Sequence, residues 1–137
     1  MKKKLIDSCR VRPYTSGAVI DRQNFGGAVL GLKVEAADGS STAAALKLEL
    51  TESDAIDGHF AAVSDKQALI GGLLDAGGAV TMDIPAADGE AQIGIDLTGC
   101  KRFVRITGAV SFTGGDSPAA TATYALALGD PAQEPVE

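Results

Sequence analysis

The chain of 137 residues has no tryptophan and only one histidine, and aromatic residues make up 4% of it. A single imidazole excludes a metal site that needs several histidines, so we predict neither a bound metal nor any other cofactor. With so few aromatics and 17 glycines, the core has to be built from Ala, Val, Leu and Ile. Such a core is thin, and we expect self-association or docking on a partner to add stability.

Cysteine is also scarce, with only Cys9 and Cys100 in the chain. They form no Cys-x-x-Cys motif, so we expect reduced, partly buried thiols rather than a disulfide. No run of about 18 apolar residues is present, which argues against a membrane-spanning segment. Residues 1–9 imitate a secretion or lipoprotein signal, but no apolar stretch of about 7–15 residues precedes Cys9, and we expect neither signal.

The net charge of −6 argues against a nucleic-acid binder, because neutralising phosphates requires clustered Lys and Arg. Charge is nevertheless uneven along the chain, with a basic start and an acidic end: Lys2, Lys3, Lys4, Arg10 and Arg12 against Asp130, Glu134 and Glu137. Two interpretations fit this pattern. The ends are simply solvated, or the N-terminal arm lies on an acidic surface of a partner.

Apolar and polar residues alternate in most segments, which is typical of half-buried strands. In the clearest case Leu46, Leu48 and Leu50 share one face, while Lys47 and Glu49 share the other. Similar alternation covers residues 30–34, 80–84, 93–97, 104–112 and 122–128, and further strands are expected near Leu5–Arg12 and His59–Val63. We predict an all-β fold, an antiparallel and jelly-roll-like β-sandwich of about eight strands with little or no helix.

The only helical candidate is Ser64–Asp75, and its central Gly71-Gly72 favours a turn or loop instead. Residues 26–31 are glycine-rich but do not match a phosphate loop, and we expect glycines there where strands cross or bulge. The predicted organisation is a single domain with two extensions: an N-terminal arm with a possible first strand at 1–14, the sandwich at 15–129, and a flexible acidic tail at 130–137.

Catalytic chemistry has few candidates. His59 is the sole histidine and no nucleophile motif surrounds it, so we predict no catalytic residues and no enzymatic activity. Glu52, Asp54 and Asp57 could offer oxygen ligands to calcium, but their spacing does not match a calcium loop and favours a solvated loop. The sequence does not exclude a pair of carboxylates that would catalyse glycoside hydrolysis.

Residues 101–105 are the strongest basic stretch outside the N-terminus. In a strand, Lys101, Phe103 and Arg105 would share one face. This face is either an exposed sheet surface or a strip that contacts a partner, since arginine beside an aromatic residue is common in binding hot spots.

Five motifs in order carry a resemblance to a known group of proteins: Ser16-Gly-Ala-Val-Ile-Asp-Arg22, Phe25-Gly-Gly27, Lys47-Leu-Glu-Leu-Thr-Glu-Ser-Asp54, Phe60-Ala-Ala-Val63 and Cys100-Lys-Arg-Phe-Val-Arg-Ile106. From about Arg12 to Leu128, the chain resembles small proteins encoded beside the major capsid protein of tailed bacteriophages. These are capsid decoration, auxiliary or head-stabilisation proteins.

The resemblance implies a sandwich on the outside of an icosahedral head, made in the host bacterial cytoplasm, that clamps neighbouring capsid subunits as a dimer or trimer. Its partners would be the major capsid protein and itself, without nucleic acid or membrane. The residues we predict at the contact are basic or aromatic: Lys2, Lys3, Lys4, Arg10, Arg12, Tyr14, Lys101, Arg102 and Arg105.

Two alternatives remain open. One is a tail or connector component of the phage. The other is a carbohydrate-binding sandwich displayed on the virion, because Glu52-Ser-Asp54 with Phe60 and Lys101-Arg-Phe103 also resembles galactose-binding-like sandwiches.

Overall fold

The computed structural model describes residues 5–38, 43–84, 89–113 and 119–132. A short 3₁₀ turn, Leu5–Asp7, precedes nine strands. In chain order the strands are β1 Arg10–Tyr14, β2 Val19–Asp21, β3 Phe25–Asp38, β4 Ala43–Ser53, β5 Ala61–Ala62, β6 Ala79–Ile84, β7 Gly89–Asp96, β8 Phe103–Thr113 and β9 Ala119–Pro131. No α-helix occurs within the described ranges, so the all-β prediction is confirmed.

The strands form two antiparallel sheets that pack face to face. The first sheet has the order β1-β9-β3-β7, and the second has β2-β8-β4, with β5 and β6 both pairing with β4. With the two-residue β5 set aside, the chain alternates between the sheets at every step except from β4 to β6. This is the strand order of a jelly roll, in which two Greek keys wrap around one core.

The core is formed by the inward faces of the two central pairs of strands. On β3, Leu30 is paired with Ile93 of β7 on one side and with Leu126 of β9 on the other, and all three are buried. Facing them, Leu46, Leu48 and Leu50 of β4 have no exposed surface. Burial of each such side chain contributes about 1.5–3 kcal/mol, so the predicted aliphatic core is present and its faces are those that the alternation indicates.

Several local expectations need correction. The predicted strand near Leu5–Arg12 begins only at Arg10, after the 3₁₀ turn, and β2 was not expected. The strand β9 runs to Pro131, so Asp130 and Pro131 belong to the sheet and not to the predicted tail. The expectation of close approach at the glycines of residues 26–31 holds for Gly26, which lies against Asp130 and Thr98, but not for Gly27 and Gly31, which have ample space around them. Residues 133–137 and the predicted Lys2–Lys4 lie outside the described residues.

The connection from Ser64 to Gly78 is a loop, as the paired glycines indicate, and Gly71 adopts a positive φ of 85° that an α-helix does not allow. It runs beside β7: the amide of Ile70 donates to the carbonyl oxygen of Gly94 at 3.0 Å, and the amide of Asp96 donates to Ala68 at 2.7 Å. The loop therefore covers part of the free edge of the first sheet.

Tyr14 fastens the opposite edge of the sandwich. It lies on β1 of the first sheet, yet its hydroxyl donates to the carbonyl oxygen of Ala18 at 2.6 Å and accepts from the amide of Ile106 in the second sheet at 3.1 Å. Burial raises the pKa of the Tyr14 hydroxyl, which keeps it protonated. One side chain thus joins β1 of the first sheet to β8 of the second, two strands that share no backbone pairing.

Replacing Tyr14 with Phe removes this hydroxyl, so the buried amide of Ile106 loses its hydrogen-bond acceptor. We expect the free energy of unfolding, measured by urea titration, to fall by about 1–2 kcal/mol. The matched control is Tyr124→Phe, since the Tyr124 hydroxyl packs against Gly108 and has no hydrogen-bond partner among the described residues. Equal losses in the two variants would contradict the role given to Tyr14.

Candidate functional site

The structure gathers the predicted contact residues of the described chain along one side of the sandwich. Strand β1 is an edge strand of the first sheet, β2 is an edge strand of the second, and β8 pairs with β2. Their basic side chains form what we call the arginine edge: Arg10, Arg12, Arg22, Lys101, Arg102 and Arg105. Across residues 10–22 and 101–105 the only acidic residue is Asp21.

Three arginines of this edge lie over aromatic rings. The guanidinium-to-ring distances are 5.3 Å for Arg10 over Phe25, 4.9 Å for Arg102 over Phe103 and 4.1 Å for Arg105 over Phe60. Stacking of this kind is worth about 0.5–1 kcal/mol at exposed sites and holds the planar group in one orientation. The edge therefore presents partly ordered cations, as binding hot spots do.

Two cations of the edge already have acidic neighbours. The guanidinium of Arg102 forms two hydrogen bonds with the carboxylate of Asp21, at 3.0 and 2.9 Å. These bonds, with a smaller contribution from the charge of Arg10, hold the pKa of Asp21 below its usual value. The ammonium of Lys101 lies 3.5 Å from Asp54 at an exposed position, where an ion pair adds little stability.

The predicted strip of Lys101, Phe103 and Arg105 on one strand face is not present in that form. Lys101 precedes β8, and Phe103 is buried. Arg105 lies on the strand, half-buried against Phe60. The basic residues still lie at one edge of the molecule, but Lys101 is in the loop before β8 and Arg105 is on the strand itself.

Two charged residues that the sequence did not single out for this role hold the loop between β7 and β8. Glu52 lies near the C-terminal end of β4 and is only 4% exposed. Its two carboxylate oxygens accept hydrogen bonds from the backbone amides of Ser64, at 3.2 Å, and Lys101, at 3.1 Å. On the other side of the loop, Arg22 donates to the carbonyl oxygens of Cys100 and Lys101. The expectation of a solvated acidic loop therefore fits Asp54 but not Glu52.

Replacing Glu52 with Gln leaves one acceptor oxygen where two amides need one each, and it removes the charge that strengthens both bonds. We expect a loss of about 1–3 kcal/mol in the free energy of unfolding, measured by urea titration. Glu49→Gln is the control, because Glu49 forms only an exposed ion pair with Lys47 and should change stability by less than about 0.5 kcal/mol. A Glu52→Gln variant as stable as the control would contradict this assignment.

Cys100 lies in the same loop and is 5% exposed. Burial, followed by the nearby negative charge of Glu52, raises the pKa of its thiol to about 11. A thiol that stays protonated at neutral pH is a poor nucleophile, so this cysteine acts as a packing residue. Cys9 is half-buried, and the two cysteines are not joined by a disulfide, in agreement with the prediction.

The raised pKa predicts how stability depends on pH. The unfolded thiol titrates near pH 9 and the folded thiol near 11, so the unfolded state loses its proton first and stability falls as pH rises through this window. We expect the difference in unfolding free energy between the natural protein and Cys100→Ala to narrow from about pH 9 to about 11. The comparison cancels the contribution of the tyrosines, and a difference that stays constant would contradict the prediction.

A second surface feature is the outer face of the first sheet, which the sequence analysis did not identify. One apolar row crosses all four strands at the same level: Val11 pairs with Ala127, Ala127 with Val29, and Val29 with Gly94. Val11 is 59% exposed and Val29 is 42% exposed. We call this row, together with Ile70 that lies over Gly94, the apolar face.

The apolar face is the floor of a shallow groove of about 460 Å³, which also involves Cys9, Gly27 and Gly129. A second groove of about 520 Å³ lies further along the same sheet, past Gly31 and Ala125. Small residues make this surface flat, and Val11, Val29 and Ile70 are exposed apolar side chains that line it. Such a surface fits another flat surface better than it fits a small molecule.

The described residues contain no group of three or more side chains that could hold a metal ion. No helix in that part of the chain has the length and apolar character needed to cross a bilayer. His59 is exposed on the loop between β4 and β5, away from both cysteines in the sequence. No protein-family model, curated protein or solved structure matches the chain, so similarity assigns neither a family nor a function.

Proposed function

We propose that this protein is a structural docking module, a capsid decoration protein that binds the outer surface of a bacteriophage head through its apolar face. The observation that carries the docking function is the exposed row from Val11 to Gly94 across the first sheet. Exposed apolar side chains that lie next to one another on a soluble protein are common at sites of protein interaction.

The opposite surface of the sandwich supports this choice of face. Outward positions on the second sheet are polar or charged, as at Lys47, Glu49 and Thr107. Lys47 and Glu49 there form an ion pair at 3.1 Å and are both about half exposed. The first sheet carries such a pair too, Lys33 with Glu35 at 2.9 Å, but further along β3, so the part of that sheet around Val29 is the surface suited to a dry contact.

The capsid as the docking target rests on two further points. One is the sequence resemblance between about Arg12 and Leu128. The other is an analogy at the level of the fold, since jelly rolls occur in viral capsid and lectin domains. A lectin function is less well supported, because sugars commonly stack on exposed aromatic rings, whereas Phe103 is buried and the Phe60 ring already lies against the guanidinium of Arg105.

Co-sedimentation with purified, expanded heads of the phage that encodes the chain tests this proposal. We expect the natural protein to bind and Val29→Lys to bind at least about tenfold more weakly, because a charge would be buried in a dry contact. Thr107→Lys is the matched control, a β-branched residue changed to lysine at an exposed position of the opposite sheet, and it should bind normally.

The outcomes separate the parts of the proposal. A natural protein that does not bind heads, or that binds tails or glycans instead, would overturn the capsid assignment. Binding that Val29→Lys and Thr107→Lys weaken equally would overturn the assignment of the apolar face. Circular dichroism of both variants confirms that each is folded.

A further inference from the structure

The edge of the sandwich opposite the arginine edge is acidic. It consists of β6, β7 and the loop that begins at Ser64, and within residues 64–84 and 89–96 the only basic residue is Lys66. The same ranges contain five acidic residues. Asp65 and Asp96 lie beside the loop that carries Cys100, and the other three form what we call the acidic edge: Asp75, Asp83 and Glu90. The ammonium of Lys66 donates to the carbonyl oxygen of Val63.

Topology places the two charged edges on opposite sides of the molecule. In the first sheet β1 and β7 are the outermost strands, and in the second sheet β2 and β6 are. Three steps between neighbouring strands separate them in each sheet, a distance of about 15 Å. This exceeds the screening length of about 10 Å at moderate salt, so each edge keeps its own sign toward an approaching molecule.

The carboxylate of Asp75 on the acidic edge is held in its charged form. Hydrogen bonds from the amides of Ala79 and Gly77 hold the pKa of Asp75 below its usual value. Asp83 and Glu90 are exposed at the ends of β6 and β7. The edge therefore presents fixed negative charge beside side chains that are free to reorient.

We propose that copies of this chain bind one another head to tail, with the arginine edge of one copy against the acidic edge of the next. The partner is a second copy because one chain carries both complementary surfaces, and like edges would repel each other. A contact of this kind uses two different patches on each copy, so it builds a closed ring where the rotation allows and an open array otherwise.

Complementary charge reversals test the proposal in solution, without any capsid. The first variant combines Arg12→Glu with Lys101→Glu, both at exposed positions of the arginine edge, and the second combines Asp83→Lys with Glu90→Lys. We expect the natural protein to associate at low salt and to dissociate as salt is raised, measured by sedimentation velocity. Each variant alone should associate at least about tenfold more weakly.

An equimolar mixture of the two variants is the decisive sample, because each supplies the edge that the other has lost. We expect the mixture to regain association to within about threefold of the natural protein, because the two reversals restore the attraction between opposite edges. The control variant exchanges Lys47 and Glu49, which keeps the net charge and reverses an exposed pair on the second sheet. Because Lys47 also lies near Asp75, this variant should weaken association only slightly, and far less than either edge variant.

A natural protein that is monomeric under all these conditions would overturn the proposal, as would a mixture that stays monomeric. Association that is lost in Val29→Lys but kept in both edge variants would also overturn it, since the apolar face would then be the contact. If a double variant does not fold, the single variants Arg12→Glu and Glu90→Lys replace the two double variants in the same mixing experiment. The measurement does not involve phage heads, so the head-to-tail proposal can fail while the capsid proposal stands, and the reverse.

Discussion

Contact between the inward leucines of β3 and β4 is the interaction on which both sheets depend. These two strands are long and central, and Leu30 on one and Leu46, Leu48 and Leu50 on the other have no exposed surface. Leucine-to-leucine packing is not directional, so it sets how closely the sheets approach but does little to hold the outer strands. The edges need polar interactions of their own.

Those polar interactions are concentrated at the side where β1 and β2 meet. Tyr14 joins the two sheets, and Glu52 and Arg22 hold the loop before β8 from opposite sides. Each group is buried or half-buried and has its partners, as a low-dielectric environment requires. The same loop carries Lys101 and Arg102, so the interactions that stabilise this side also position the basic residues proposed for binding.

Alternation along the sequence was enough to identify the long strands and the inward faces of β3, β4 and β7. It could not identify β2, which has three residues and only one buried side chain, Ile20. It also missed the burial of Glu52, because a polar residue at the end of a strand looks the same whether water or backbone amides surround it. Burial of that kind depends on loops far away in the chain.

The two candidate surfaces were predictable to different degrees. Basic residues near Arg10 and near Arg102 were noted in the sequence, but only the contacts of Tyr14 on β1 with Ala18 and Ile106 bring them to one edge. The role of Arg22 could not be predicted, because its partners are backbone carbonyls that any sequence supplies. The apolar face was missed because Ala127 and Gly94 contribute little to a hydrophobic pattern. Strand order, and with it the jelly roll, does not follow from periodicity at all.

Pairing of the first strand with the last has a mechanical consequence. Arg10 lies opposite Leu128, so the start of β1 and the end of β9 are side by side at one end of the same sheet. In an antiparallel pair, a force that pulls these two ends apart breaks the backbone hydrogen bonds between the strands one after another, instead of loading all of them at once. Under tension applied at its ends, the sandwich should peel open from β1 at low force, with Tyr14 as the first point of resistance on the path.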